Sequence, residues 1–134
     1  MIYIYIVAIA TTVDSKNTIK EVLIVRQISR EELRNKLILR ESLTLVEALP
    51  EKYWRDSHLP GAIQMDYTEV AEKAHNLLPD KEAKIVVYCA STECQNSSKA
   101  ARTLEDLGYK NVNEYAQGKQ HWLEAGLPLV GSVN

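Results

Sequence analysis

Lys84-Ile-Val-Val-Tyr-Cys89 followed by Ala90-Ser-Thr-Glu-Cys94-Gln-Asn-Ser-Ser98 decides how this chain is read. Ile85 to Tyr88 is a continuous apolar run, as expected of a central parallel strand covered on both faces. It delivers Cys89 into a small polar loop. A helix is predicted directly afterwards, from Ser97 to Leu107, with Ala100, Ala101, Leu104 and Leu107 on one face. Inward-turned N–H groups backed by a helix N-terminus favour negative charge, which suits a reactive thiolate. Both cysteines of the chain lie in this stretch, five positions apart.

The flanking sequence repeats the alternation of strand and helix. Upstream, Ser29 before Glu31 and Glu32 reads as an N-cap opening a helix to about Leu39. Thr44 to Ala48 is a strand, and Pro50 to Arg55 begins a short helix with proline in its first turn. Leu59-Pro-Gly61 is a turn into the short strand Ala62 to Met65. Tyr67 to Leu78 is helical by the spacing of Val70, Ala74 and Leu77/Leu78, and Pro79-Asp80 stops it. Downstream, Gly108 fits a helix C′ position, Val112 to Tyr115 makes a last strand, and Lys119 to Ala125 a last helix. Such alternation with short loops predicts an α/β sandwich around a parallel sheet.

At the start, Met1 to Ala10 is rich in Tyr, Ile and Val and reads as an extra strand. Thr11 to Asn17 is polar and turn-like, and Glu21 to Gln27 forms a second apolar run. The expected organisation is a strand-like extension over 1–20 and one domain over 21–134. The apolar start is shorter than a bilayer span and lacks a basic leader region. Cytoplasm is therefore the default, although Ala8-Ile-Ala10 resembles a cleavage site and leaves an exported form open.

The chain has 134 residues, enough for one domain with its own core. Hydrophobic residues at 46% and charged residues at 25% are those of an ordinary soluble globule. With a net charge of −2, nothing points to nucleic acid or a membrane as a partner. Two cysteines are too few for a disulfide framework. Zinc prefers cysteine pairs two to four residues apart with a second pair elsewhere; here that pattern is missing and His58, His75 and His121 are scattered. Neither metal nor cofactor is expected.

Four signals together resemble a rhodanese-like (sulfurtransferase) domain. They are Leu45-Val-Glu47 with His58-Leu-Pro-Gly61-Ala62-Ile63; Val86-Val-Tyr-Cys89; Lys99-Ala-Ala-Arg102 with Leu107-Gly-Tyr-Lys-Asn-Val112; and Tyr115-Ala-Gln-Gly118, then Trp122 and Ala125-Gly-Leu-Pro128. The resemblance runs from about Gln27 to Val130. It implies a five-stranded parallel sheet with helices on both faces and Cys89 as the active cysteine. Attack of Cys89 on a sulfane sulfur would leave a persulfide, which a thiol acceptor, small or carried by a protein, then removes.

The departures are informative. Glu47-Ala48-Leu49 stands where many members have Asp-x-Arg. The family's loop usually reads Cys-x-x-x-x-Arg, whereas Cys89 to Lys99 is two residues longer, lacks any earlier cation and holds Glu93. It is similar instead to a subset with Cys-x-x-x-x-Cys and a serine three residues later. Missing arginines weaken recognition of doubly charged thiosulfate, because oxyanions favour Arg forks.

The expected site comprises Cys89 and Cys94 within the loop Ala90, Ser91, Thr92, Glu93, Gln95, Asn96 and Ser97. Loop N–H groups would hold the thiolate, with hydrogen bonds added by Ser91, Thr92, Asn96 and Ser97. Cys94 is either an incidental loop residue or a resolving thiol that attacks the Cys89 persulfide. Glu47 and His58 form a possible outer ring, each read more readily as structural than as a general base. Trp54 and Trp122 are read as core or pocket walls. A cysteine phosphatase or arsenate reductase needs an arginine about six residues after its cysteine. Gln95 and Ala100 occupy those places, which disfavours that chemistry. A non-catalytic binding module and a dithiol redox sensor remain as alternatives, and the chain is expected to be a monomer or a homodimer.

Overall fold

The computed structural model describes residues 9–13, 19–23 and 25–131. Two sheets are present among them. Strands β1 (Ile9–Val13) and β2 (Ile19–Leu23) form an antiparallel pair in which Ile9 faces Leu23 and Val13 faces Ile19. The second sheet has five parallel strands in the order β3-β7-β6-β4-β5. These are β3 (Arg26–Gln27), β4 (Thr44–Glu47), β5 (Ile63–Gln64), β6 (Ile85–Tyr88) and β7 (Val112–Tyr115).

The helices occur where capping and spacing place them. α1 (Arg30–Ile38) starts at Ser29, whose hydroxyl accepts the Glu32 N–H at 3.1 Å. α2 spans Glu51–Asp56, and a single 3₁₀ turn at Tyr67–Glu69 leads into α3 (Val70–Leu77). α4 (Asn96–Asp106) and α5 (Gly118–Glu124) follow the last two strands. None of the helices among the described residues is long and apolar enough to cross a membrane.

The three central strands β4, β6 and β7 bury both faces, and the alternation of side chains divides the core in two. Val46, Ala48, Ile85, Val87 and Val112 pack with Val70 and Ala74 of α3 and with Ala100, Ala101 and Leu104 of α4. Leu45, Val86, Tyr88 and Tyr115 pack on the other face with Leu33 of α1 and Trp122 of α5. β6 lies between β4 and β7, and all four of its residues are buried. Its C-terminal end is therefore fixed from both sides of the sheet.

Three expectations need correction. Thr11 to Val13 are strand, because they pair with Glu21 to Ile19, whereas their polarity suggested a turn. The expected run from Glu21 to Gln27 is split, its first part pairing with β1 and Arg26–Gln27 joining β7 in the other sheet. Leu107 caps α4 and is 36% exposed, so it leaves the buried stripe that ends at Leu104. Of the strand expected over Met1 to Ala10, residues 1–8 lie outside the described residues, and Ile9 and Ala10 belong to β1.

Candidate active site

Cys89 is the first residue beyond β6 and is fully buried. Two helices fix the backbone there. The Lys119 and Gln120 N–H groups, in the first turn of α5, donate to the Cys89 and Ala90 carbonyls, each at 2.9 Å. That turn approaches so closely that a Cβ on Gly118 (φ +73) would lie 2.6 Å from the Cys89 oxygen. Glycine is required there on both counts. The loop then curls, with Cys94 N–H bonding the Ser91 carbonyl at 3.1 Å, and enters α4 at Asn96.

This curl brings Ser97 to the sulfur. The Cys89 thiol faces Ser97 Oγ at 3.3 Å and the Cys94 carbonyl at 3.4 Å. Ser97 is itself fully buried and donates to Glu114 Oε2 at 2.7 Å. Glu114 is in β7, on the same sheet face as Cys89, and also accepts from Ser98 Oγ at 2.7 Å and from Gln27 Nε2 at 2.9 Å. The result is a line from Cys89 through Ser97 to a buried carboxylate.

Burial pushes the Cys89 thiol up to about 11, and the adjacent Cys94 thiol adds to the rise; Ser97, through its hydroxyl and its N–H, opposes it. The Ser97 hydroxyl and N–H act in favour of the thiolate. Desolvation outweighs them in the resting protein. Both cysteines are free thiols, and Cys94 is half-buried.

The remaining expected residues divide by depth. Ser97 touches the sulfur, but no hydrogen bond to it comes from Ser91, Thr92 or Asn96 among the described residues. Thr92, Glu93 and Gln95 are exposed at the loop tip, and Ala90 takes part through its carbonyl.

Glu47 is fully buried, yet it is turned to the other face of the sheet. Its Oε1 accepts from Tyr88 Oη at 2.8 Å and pairs with Lys119 Nζ at 3.1 Å. Its Oε2 has no hydrogen-bond partner among the described residues. Burial raises the Glu47 pKa, against the pull of Tyr88 and Lys119. Lys119 also donates to the Ser57 carbonyl at 2.6 Å, tying α5 to the end of α2.

His58 is a packing residue. Its ring stacks on Trp54 at 4.1 Å, Nδ1 lies 2.7 Å from the Trp54 carbonyl, and its backbone bridges to Val130. Trp122 is a core aromatic that donates to the Pro128 carbonyl at 2.9 Å, and Trp54 donates to the Ala62 carbonyl at 2.9 Å. No group of metal-ligating side chains occurs among the described residues.

Sequence reasoning missed Glu114 and Lys119. Their signal was present: an acid in a strand buried on both faces must be given partners, and so must a lysine immediately after a strand-to-helix glycine.

The sequence profile of the Rhodanese-like domain family matches residues 29–125. The chain belongs to that family. Among relatives of this rhodanese-like domain, an HTH-type transcriptional regulator of Mycobacterium tuberculosis is 33% identical over 102 residues, which are 76% of this chain and 43% of the regulator. YrkF of Bacillus subtilis, a candidate sulfur carrier protein, is 27% identical over 96 residues, 72% of this chain and 50% of that protein. The crystal structure of a thiosulfate sulfurtransferase from Pseudomonas aeruginosa superposes with a TM-score of 0.72 at 25% identity, covering 81% of this chain and 20% of that one. The chain spans about half the length of the curated relatives it matches. The α/β class and the five-stranded parallel sheet agree with the expectation, and sulfur handling is named for two of these relatives.

Proposed function

We propose that this domain moves sulfane sulfur as a persulfide on Cys89, taking it from a small donor and passing it to a thiol acceptor. The observation that carries this reading is the position of Cys89. It sits at the end of the central strand, under the first turn of α4, with a serine hydroxyl 3.3 Å from its sulfur. That position suits a nucleophile held in one orientation, and the loop above it gives the transferred sulfur a polar surrounding.

The donor is a persulfide of low charge rather than thiosulfate. Lys119, whose backbone N–H bonds the Cys89 carbonyl, has its ammonium committed to Glu47 and the Ser57 carbonyl. Lys99 lies over the Tyr67 ring at 5.2 Å. Glu93 at the loop tip and Glu114 beneath add negative charge, which opposes a dianion. When no acceptor thiol reaches the persulfide, Cys94 acts as the resolving thiol. Its attack on the inner sulfur of the Cys89 persulfide releases hydrosulfide and leaves a Cys89–Cys94 disulfide, which an external thiol reduces.

Incubation with thiosulfate, a low-molecular-weight persulfide or mercaptopyruvate, followed by mass mapping, tests the proposal. One added sulfur on Cys89 from the persulfide, and little from thiosulfate, is expected. Failure to load from every donor would refute it.

A second reading is favoured by one observation: the HTH-type regulator that this chain resembles is more than twice the length of the matched segment. In that setting the Cys89–Cys94 dithiol would serve as a sensor, forming a disulfide without sulfur turnover. Thiol titration before and after mild peroxide, beside the loading assay, separates the two.

A further inference from the structure

Cys89 has no surface open to solvent. Its sulfur is bracketed by the Cys94 carbonyl at 3.4 Å and by Ser97 Oγ at 3.3 Å. The Cys94 N–H is in turn pinned to the Ser91 carbonyl at 3.1 Å, and Ser97 is itself fully buried. A donor reaches the inner sulfur only by displacing part of this loop. Cys94 is placed differently. Its free thiol is half-buried and adjoins the Cys89 thiol, while Glu93 and Gln95 on either side of it are exposed. The chain has no third cysteine, so no other thiol of its own lies between Cys89 and the surface. The acidity of the inner thiol points the same way. Burial, with the neighbouring Cys94 thiol adding to it, pushes Cys89 up to about 11, whereas attack on an external sulfur requires a thiolate.

We propose that Cys94 is the port through which sulfur enters and leaves, and that Cys89 receives the sulfur from Cys94 and holds it inside. This route rests on the sulfur-transfer reading, to which it adds a second catalytic residue and an order of steps.

In the first step the Cys94 thiolate attacks the outer sulfur of a donor persulfide R–S–SH. An S–S bond forms to Cys94, the donor S–S bond breaks, and RS⁻ leaves with the electron pair. The Cys89 sulfur then attacks the outer sulfur of the Cys94 persulfide. A new S–S bond forms to Cys89, the Cys94 S–S bond breaks, and the Cys89 proton passes to the departing Cys94 sulfur. Charge is conserved in that exchange, and no oxidant or reductant is consumed. It also spares Cys89 from ever standing as a free thiolate in the closed site. Exit reverses the path: Cys94 takes back the outer sulfur, and an acceptor thiolate removes it there. Attack of Cys94 on the inner sulfur gives the hydrosulfide and disulfide already described, so one residue governs both ways of emptying the site.

The test uses the whole chain, its Cys94→Ser and Cys89→Ser variants, and glutathione persulfide as the probe, under nitrogen. Samples are quenched with an alkylating agent at intervals and the added sulfur is mapped by fragment mass, with the Cys89–Cys94 disulfide counted as loaded protein. Cys89→Ser is expected to keep one sulfur on Cys94. Cys94→Ser is expected to load Cys89 more slowly than wild type by about tenfold or more, because each attack waits for the loop to open. If Cys89→Ser does not fold, Cys89→Ala takes its place. A second readout needs no sulfur: a maleimide carrying a polyethylene glycol chain should modify Cys94 of the wild type well before Cys89. Equal loading of Cys89 in wild type and Cys94→Ser, or a folded Cys89 variant that takes no sulfur, overturns the port and leaves transfer through Cys89 standing. Sulfur that stops at Cys94 in the wild type overturns the hand-over. A wild-type chain that gains no sulfur at either cysteine refutes sulfur transfer and the port together.

Discussion

Gly118→Ala tests whether the start of α5 clamps the cysteine backbone. The new Cβ would meet the Cys89 oxygen at 2.6 Å, and Ala90 C and Ser91 N at 2.8 Å each. All three are backbone atoms, so no side chain can swing away. Two costs add. The left-handed φ of +73 costs an alanine about 1–2 kcal/mol, and forcing the helix off the loop costs about 1–3 kcal/mol more. The sum is about 2–5 kcal/mol. Gly61→Ala is the internal control: its φ is +83, but nothing lies within 4 Å of the added Cβ, so only the conformational cost applies. Urea unfolding measures both, and with a slope of about 1–3 kcal/mol per molar the two midpoints separate by about 1 M. Alkylation of Cys89 is also expected to speed up in Gly118→Ala, because the Lys119 and Gln120 bonds to the loop carbonyls lengthen. If the two variants lose the same stability to within about 0.5 kcal/mol, the clamp is refuted.

Further predictions concern the other polar groups. Lys119→Met strands the buried Glu47 carboxylate and is expected to cost about 3–5 kcal/mol at neutral pH, less in acid where Glu47 is protonated; urea midpoints at several pH values check both. Because burial raises the Glu47 pKa, the folded chain holds a proton that the unfolded chain has released, between the ordinary carboxylate value and the raised one. Stability therefore falls as pH rises through that window, and Glu47→Gln should remove that decline. Tyr88→Phe deletes a hydroxyl that accepts the Leu59 N–H and donates to Glu47, with an expected loss of about 1–3 kcal/mol by the same unfolding assay. Cys94→Ser should prolong the Cys89 persulfide; equal lifetimes by intact mass would count against a resolving role.

The sequence is most legible where burial is one-sided in its demands. Ile85 to Tyr88 needed no partner to be read as a central strand, since four successive apolar residues fit little else. Ser29 was readable because a capping hydroxyl acts within one turn. Arg26–Gln27 was not, because two residues carry no period and become a strand only by pairing with Asn113 and Glu114. The same limit hid the site's deeper half. Cys89 and Ser97 lie close in sequence, whereas Glu114 reaches Ser97 only after β7 has docked beside β6. Glu47, by contrast, lies near the cysteine in the sheet and still faces away from it. Strand alternation, not proximity, decided which acid serves the sulfur.

The loop above Cys89 is anchored at both ends by backbone bonds to α5 and by the buried Ser97, while Thr92, Glu93 and Gln95 stand free at its tip. Reactivity and donor choice are consequently encoded by separate residues. The tip can exchange its charge without moving the sulfur, so a domain of this kind can drift, or be engineered, from one sulfur source to another by recolouring three surface positions. A Glu93→Arg exchange is the smallest such step, and it leaves every bond beneath the loop in place.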